Sequence, residues 1–325
     1  MSITPSTHVW PSLAVAAILI MASMSGASSE GARTVKLVVP VPPGGAGDIL
    51  ARQLGEQIAH MQGAAVVTEN RGGAATILGT ESVARAAPDG NTLLLTAPYL
   101  LINPQLRKVN YDPLRSFEPV CYLVRSPGVF VVKAASPYRT LRDLIEAARA
   151  KPGELTFASV GPGTAHHLGF EMLKRAAGVD MTYVPYTGGG PAINALLGGH
   201  VTFVLAEYAP LAAHINAGTL RAIATSAASR IEQLPDVPTV AETIHRDYEV
   251  DMWWSLFAPA KTPTETLERL ERWFTDALRA PALREKLAAQ GFSAAPTCGA
   301  DFAALLRKQY DDYGRVIREA HIRVD

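Results

Sequence analysis

Apolar residues along this chain follow two rhythms: short unbroken β-branched or leucine runs, and longer stretches where they recur three and four residues apart. Val35 to Val39 is the first short run, and Pro40, Pro42 and Pro43 stop a helix from growing out of it. Ile49, Leu50, Leu54, Ile58 and Met61 then follow as a helix. Ala64 to Thr68 reads as a strand, residues 76–86 as a helix closed by Pro88-Asp89-Gly90, and Thr92 to Thr96 as a third strand. This βαβαβ order implies a parallel sheet with helices on its faces. Strands follow at 117–124 and 128–133, and a helix at 140–150 is stopped by Pro152-Gly153.

A second run of the same kind begins there. Its strands are 155–159, 181–185, 201–205 and 220–226, and its helices are 164–177, 190–197 and 209–216. A strand-like segment at 249–258 and helices at 263–279, 281–290 and 299–320 complete the chain. The expected class is α/β with two lobes, each a mainly parallel sheet flanked by helices, and a cleft between them. The lobes are expected at 28–126 with 240–325, and at 127–239.

Residues 1–27 read as a signal peptide. Leu13 to Ala22 is apolar but too short to span a membrane, and Ser25-Gly26-Ala27 has the small-x-small pattern of a cleavage site. The segment before the apolar run holds no Lys or Arg, which departs from the usual leader. Beyond it no apolar run reaches spanning length, so an exported, soluble, periplasmic protein is expected. The 30 basic residues balance the 30 acidic ones without a basic block, which implies neither nucleic acid nor an anionic membrane as partner. Of the two cysteines, Cys121 sits in an apolar run and reads first as a small buried hydrophobe; an oxidising compartment permits a bridge to Cys298, which nothing in their context demands.

Chemistry concentrates in loops. After the first strand come Gly44, Gly45 and Gly47, which leave backbone N–H groups bare, and Asp48 stands where an N-cap belongs. A helix start behind such a loop attracts anions. No Gly-Lys-Ser/Thr and no Gly-x-Gly-x-x-Gly is present here, so neither a phosphate loop nor a dinucleotide fingerprint is read. Taken alone, this stretch could be a plain tight turn. Tyr183 to Ala192 repeats its logic, with Gly188, Gly189 and Gly190 followed by Pro191 in the first helical turn. Gly161-Pro162-Gly163-Thr164-Ala165-His166-His167 is a third stretch of the same form. Two such helix starts facing one another could hold a carboxylate without a salt bridge.

The motifs, taken in order, resemble the Bug-type, TctC-like periplasmic receptors of tripartite tricarboxylate transporters. They are Pro42-Pro43-Gly44-Gly45 with Asp48 and Arg52, Glu69-Asn70-Arg71, Ala87-Pro88-Asp89-Gly90, and Gly161-x-Gly163-Thr164-x-x-His167-Leu168. Val184-Pro185-Tyr186-x-Gly188, Gly198-Gly199, Arg230, Leu234 to Thr239 with Glu242, and Ala258-Pro259-Ala260-x-Thr262-Pro263 complete the set. The resemblance covers essentially the whole chain after the leader. It implies a flytrap of two lobes joined by crossing strands, no catalysis and no cofactor. A small carboxylate would be the ligand, membrane transporter subunits the partners, and the receptor monomeric. By position it carries ligand contacts onto Pro43, Gly44, Gly45 and Asp48 in the first loop, and onto Tyr186, Thr187, Gly188 and Gly189 in the second. Thr164 and His167 are lesser candidates.

The chain also departs from that pattern. Gly47 replaces the frequent Ser or Thr before Asp48, and Ala206 stands where a polar residue is common. These changes suit a ligand with an apolar or aromatic tail, with Tyr99 and Tyr208 as candidate walls. Trp253 and Trp254, adjacent in a strand, face opposite sides, so one belongs to the core and the other is free to face the cleft.

His166, His167 and Glu171 lack a third ligand at metal-binding spacing, and no serine lies in a Gly-x-Ser-x-Gly elbow. A receptor is therefore favoured over an exported enzyme using the same cleft. A sensor that presents a carboxylate to a membrane kinase shares the fold and remains the alternative. If the leader is processed after Ala27, mass spectrometry of exported protein will find a chain beginning at Ser28; an uncut product would refute this.

Overall fold

β1 (Thr34–Val39) starts a sheet because its apolar residues meet helices on both faces, leaving only Thr34 and Lys36 exposed. A computed structural model describes residues 1–2, 34–250, 252–319 and 322–323. The leader and its cleavage site, residues 1 and 2 apart, lie outside the described residues.

From β1 the chain runs through α1 (Ala46–Gln62), β2 (Ala65–Asn70), α2 (Ile77–Ala84), β3 (Thr92–Thr96), α3 (Tyr99–Leu106) and β4 (Phe117–Arg125). It then enters a second sheet through β5 (Gly128–Lys133), α4 (Leu141–Ala150), β6 (Thr156–Ser159), α5 (Ala165–Ala177), β7 (Thr182–Pro185) and α6 (Gly189–Gly198). β8 (Phe203–Glu207), α7 (Tyr208–Asn216), β9 (Leu220–Thr225) and α8 (Val240–Thr243) follow. β10 (Trp253–Pro259), α9 (Thr264–Arg279), α10 (Pro281–Ala289), β11 (Ser293–Cys298) and α11 (Gly299–Glu319) finish the described chain.

The first sheet has the order β11-β4-β10-β3-β1-β2 and the second β7-β6-β8-β5-β9. β1 pairs in parallel with β2 and β3, while β10 runs antiparallel between β3 and β4. In the second sheet β6 pairs in parallel with β7 and β8, and β5 runs antiparallel between β8 and β9. Both sheets are therefore mixed. Four strands in each share one direction, and the strand that crosses from the other sheet is inserted against them. This is a two-lobed α/β fold.

Each sheet is buried on both faces. Leu37, Leu95, Leu256 and Trp254 meet α1, α9 and α10, while Val38, Leu94, Trp253 and Phe257 meet α3 and α11 on the other side. Phe130, Phe157, Phe203 and Leu205 pack on α4 and α5, and Val131, Ala158, Val204 and Ala206 pack on α6 and α7. At roughly 25 cal/mol per Å² of apolar area, such two-sided burial is the main favourable term in both lobes.

Two crossings join the sheets side by side. The Ser126 N–H donates to the Met252 carbonyl at 2.7 Å, Ser226 N–H to Gly128 at 2.9 Å, and Val250 N–H to Ser226 at 3.0 Å. Gly128 is pinned here, since a Cβ would lie 2.7 Å from Met252 and 2.8 Å from the Ser226 hydroxyl. The return to the first sheet falls at Trp253, later than the expected division at 240. Val240, Tyr248 and Val250 bury themselves in the second sheet's core, which fixes that stretch to the second lobe.

Several elements differ from the sequence reading. α3 is a helix despite Pro104 within it. The carbonyl that Pro104 leaves without an amide partner, that of Leu100, instead accepts from the Tyr111 hydroxyl at 3.4 Å. β8 lies at 203–207 rather than 201–205, because Thr202 is spent on paired hydrogen bonds with Thr156. β11 is an edge strand of low β propensity, with Pro296 in an irregular step between Ala294 and Thr297. Its register sets Cys298 opposite Cys121, and the two form a disulfide, which corrects the reading of Cys121 as an unpaired hydrophobe. The bridge closes 177 residues and fastens the C-terminal region to the first sheet. Replacing both cysteines by alanine is expected to cost about 2–4 kcal/mol of unfolding free energy. Urea titration of the oxidised parent and the double variant tests this; coincident midpoints would show that the bridge contributes nothing.

Candidate functional site

The first glycine loop is built by one carboxylate. Asp48 accepts from the Gly44 N–H at 3.0 Å and pairs with Arg52 at 2.9 Å. Arg52 reaches Asn70 at 3.2 Å, and the Asn70 amide donates to the Val41 carbonyl at 3.2 Å. This circuit ties the loop to the end of β2. Burial pushes the Asp48 carboxyl up, but Arg52 and the Gly44 N–H outweigh it and hold the group below its ordinary value. The N-cap itself is Gly45, with extended backbone and no side-chain cap, so Asp48 is not the cap expected from the sequence. It sits in the first turn and reaches back to the loop. Gly44, at φ +83°, is where the turn requires glycine.

The loop before α6 lies directly across the cleft. Gly188 has extended backbone, φ 164°, which any residue adopts. Its need for glycine is proximity: a Cβ would sit 2.9 Å from Cδ and 3.0 Å from Cγ of Pro42. The third loop is capped as the sequence suggests. Thr164 accepts from the His167 N–H at 3.3 Å and donates to the Gly161 carbonyl at 2.7 Å.

Between these loops two chambers adjoin, sharing Val41, Tyr99 and Val160 in their walls. The tighter one, of about 30 Å³, is bounded by the starts of α1, α5 and α6 through Gly45, Ala46, Ala165, Gly188 and Gly189. The starts of α3, at Pro98 and Tyr99, and of α7, at Glu207, border the same cavity, so five helix N-termini surround it. The wider one, about 350 Å³, is lined by Thr164, Tyr186, Thr187 and residues 73–76. Ala74, Ala75 and Thr76 are all left-handed, at φ 47°, 53° and 80°, a strained run of about 1–3 kcal/mol per residue. Asn103 holds it, donating to the Ala75 carbonyl at 2.8 Å and to Thr76 at 3.2 Å.

Aromatic rings and a buried imidazole–carboxylate contact complete the tighter chamber. Tyr99 and Trp254 meet edge to face at 6.1 Å. The Trp254 ring fills the space a side chain at 47 would need, since a Cβ on Gly47 would lie 2.2 Å from it. The absence of Ser or Thr at 47 is thus the counterpart of an indole in the wall. His166 Nε2 stands 3.1 Å from Glu207 Oε2, both side chains being buried. Burial works against the Glu207 charge, yet the adjacent imidazole holds its carboxyl below the usual range. No lysine or arginine lines either chamber.

Of the residues expected from the sequence, Gly45, Gly188 and Gly189 border the tighter chamber, and Thr164, Tyr186 and Thr187 the wider one. Pro43, Gly44, Asp48 and His167 line neither. Tyr208 packs against Gly291 instead of the cavity. His167 turns away to stack on Tyr183 at 4.4 Å, and its neighbour His166 takes the cavity position. The sequence reading did not place His166 or Glu207 in the site. Glu207 could have been found from its position at the carboxyl end of a parallel strand, where open α/β sheets bind ligands.

Burial first, with the Arg107 and Lys174 charges adding to it, lowers the His167 value from 6.5 to about 4. Between those limits the unfolded chain binds a proton that the folded one refuses. His167 therefore stabilises the fold fully above about pH 6.5, and that contribution, on the order of 2–3 kcal/mol, is lost as pH falls toward 4. His167→Phe, which keeps the stack on Tyr183, should flatten this part of the stability profile. Denaturant midpoints at neutral and acid pH for parent and variant measure it; equal slopes would refute the assignment.

The profile described as the tripartite tricarboxylate transporter family receptor matches residues 50–322. Protein BugT of Bordetella pertussis is 34% identical over 286 residues, covering 86% of this chain and 88% of its own. The solved periplasmic binding protein BugD superposes with a TM-score of 0.86 at 31% identity, over 90% of this chain and 99% of that one. Rpa4515 of R. palustris, solved with adipate, gives 0.86 at 30% identity, over 90% and 98%. Proteins of this kind are periplasmic solute receptors rather than enzymes. The match over most of its length, with the same two-lobed fold, makes this chain a member of the tripartite tricarboxylate transporter receptor family.

Proposed function

We propose that this protein is an exported, monomeric receptor that closes its lobes on a small carboxylate and delivers it to a tripartite membrane transporter. The observation that carries this reading is the opposition of the α1 and α6 starts across a cavity that no lysine or arginine lines. Positive potential comes there from unpaired N–H groups, which suit a carboxylate oxygen and need no counter-charge. The buried Trp254 Nε1, which has no hydrogen-bond partner among the described residues, adds a further donor in the wall. The neighbour solved with adipate binds an acid in a related fold, which supports the same chemistry here.

In this reading Gly45, Gly188 and Gly189 meet the carboxylate, and Thr164, Tyr186 and Thr187 border the adjoining chamber. Asp48 with Pro43 and Gly44 shapes the first loop. Calorimetric titration against short organic acids and their methyl esters tests the reading, with acids expected to bind and esters not. Gly188→Val should weaken binding of the best acid at least tenfold while circular dichroism stays native, because the new side chain holds Pro42 off. Equal binding of acid and ester would show that no carboxylate is read.

A further inference from the structure

The tighter chamber has a second pole. Alongside the helix starts, its wall includes a carboxylate, Glu207, only 6% exposed and 3.1 Å from His166 Nε2. Glu207 ends β8 and is itself the residue before α7, so its backbone is fixed by the sheet while its side chain joins the cavity wall. Beside it in the wall stand Tyr99, Trp254 and Met252. A buried carboxylate with aromatic side chains beside it is an environment for positive charge: the carboxylate attracts it directly and ring quadrupoles add to that. The same carboxylate repels a second negative charge brought into a small dry cavity.

Resting on the receptor reading above, we infer that the ligand is a zwitterion, its carboxylate at the α1 and α6 starts and a cationic nitrogen at Glu207, Tyr99 and Trp254. The neighbouring imidazole holds the Glu207 carboxyl below its usual range, and its place in the wall lets it select the cation. His166 positions the carboxylate by fixing one of its oxygens. The consequence is a specificity opposite to that for linear diacids. A diacid long enough to reach both poles places its second carboxylate against Glu207.

The test is a titration series on the full chain at fixed length, with short ω-amino acids, their N-trimethylated counterparts, the unsubstituted monoacids and the diacids. The parent is expected to bind one or both zwitterion sets at least tenfold more tightly than the monoacid of the same length, and the diacid weakest. Amine ahead of quaternary nitrogen, or the reverse, both support the inference, and their order tells whether Glu207 or the rings contribute more. Glu207→Gln should remove the preference for the zwitterion and improve the diacid. The ranking by the parent alone decides the matter should that variant fail to fold. A diacid or plain monoacid bound best by the parent would overturn the zwitterion and leave the receptor reading standing. If no carboxylate of any set binds, the receptor reading falls and this inference with it.

Discussion

Everything in the cleft depends on how near Pro42 comes to Gly188. One belongs to the loop after β1, the other to the loop before α6, and there is no room between them for a methyl group. Two loops that meet this closely must each be held from behind. The Asp48 circuit through Arg52 and Asn70 does this on one side, and the helix cap at Thr164, packed beside Gly161, supports the other. The result is a pair of helix starts brought to the wall of one shared space, an arrangement whose electrostatics need no basic side chain.

The polar inventory of the tighter chamber is correspondingly asymmetric. Its positive potential comes from the backbone, its negative charge from a single buried side chain, and rings fill the rest. A buried carboxylate is costly unless it is paired, and the imidazole of His166 supplies that pair from the start of α5. Likewise the indole of Trp254 has room only because position 47 is glycine. Such exchanges, a side chain on one strand against a missing Cβ on a distant loop, set the shape of the cavity.

The two sheets share a plan. In each, four strands run one way and the strand arriving from the other lobe is inserted against them, β10 between β3 and β4, β5 between β8 and β9. The crossings therefore lie in the middle of the sheets rather than at their edges, and short backbone hydrogen bonds at Ser126, Ser226 and Val250 join them.

The sequence by itself determined most of the strands and helices in their order, the glycine loops and the two-lobed class. Those rest on local periodicity, on turn residues and on runs such as Val35 to Val39 and Phe130 to Val132, which are legible without partners. It also singled out Gly45, Gly188 and Thr164, which border the two chambers, because bare helix starts have a local signature. Tertiary structure alone decided the remainder. α3 exists around Pro104 because Tyr111 takes the freed carbonyl, and β11 exists because β4 offers it an edge and Cys121 a bond. Which of two adjacent histidines faces the cavity is a matter of helix rotation, fixed by the stack of His167 on Tyr183. That Glu207 and Trp254 line one chamber is a contact between segments far apart in the chain, and no local pattern encodes such a meeting.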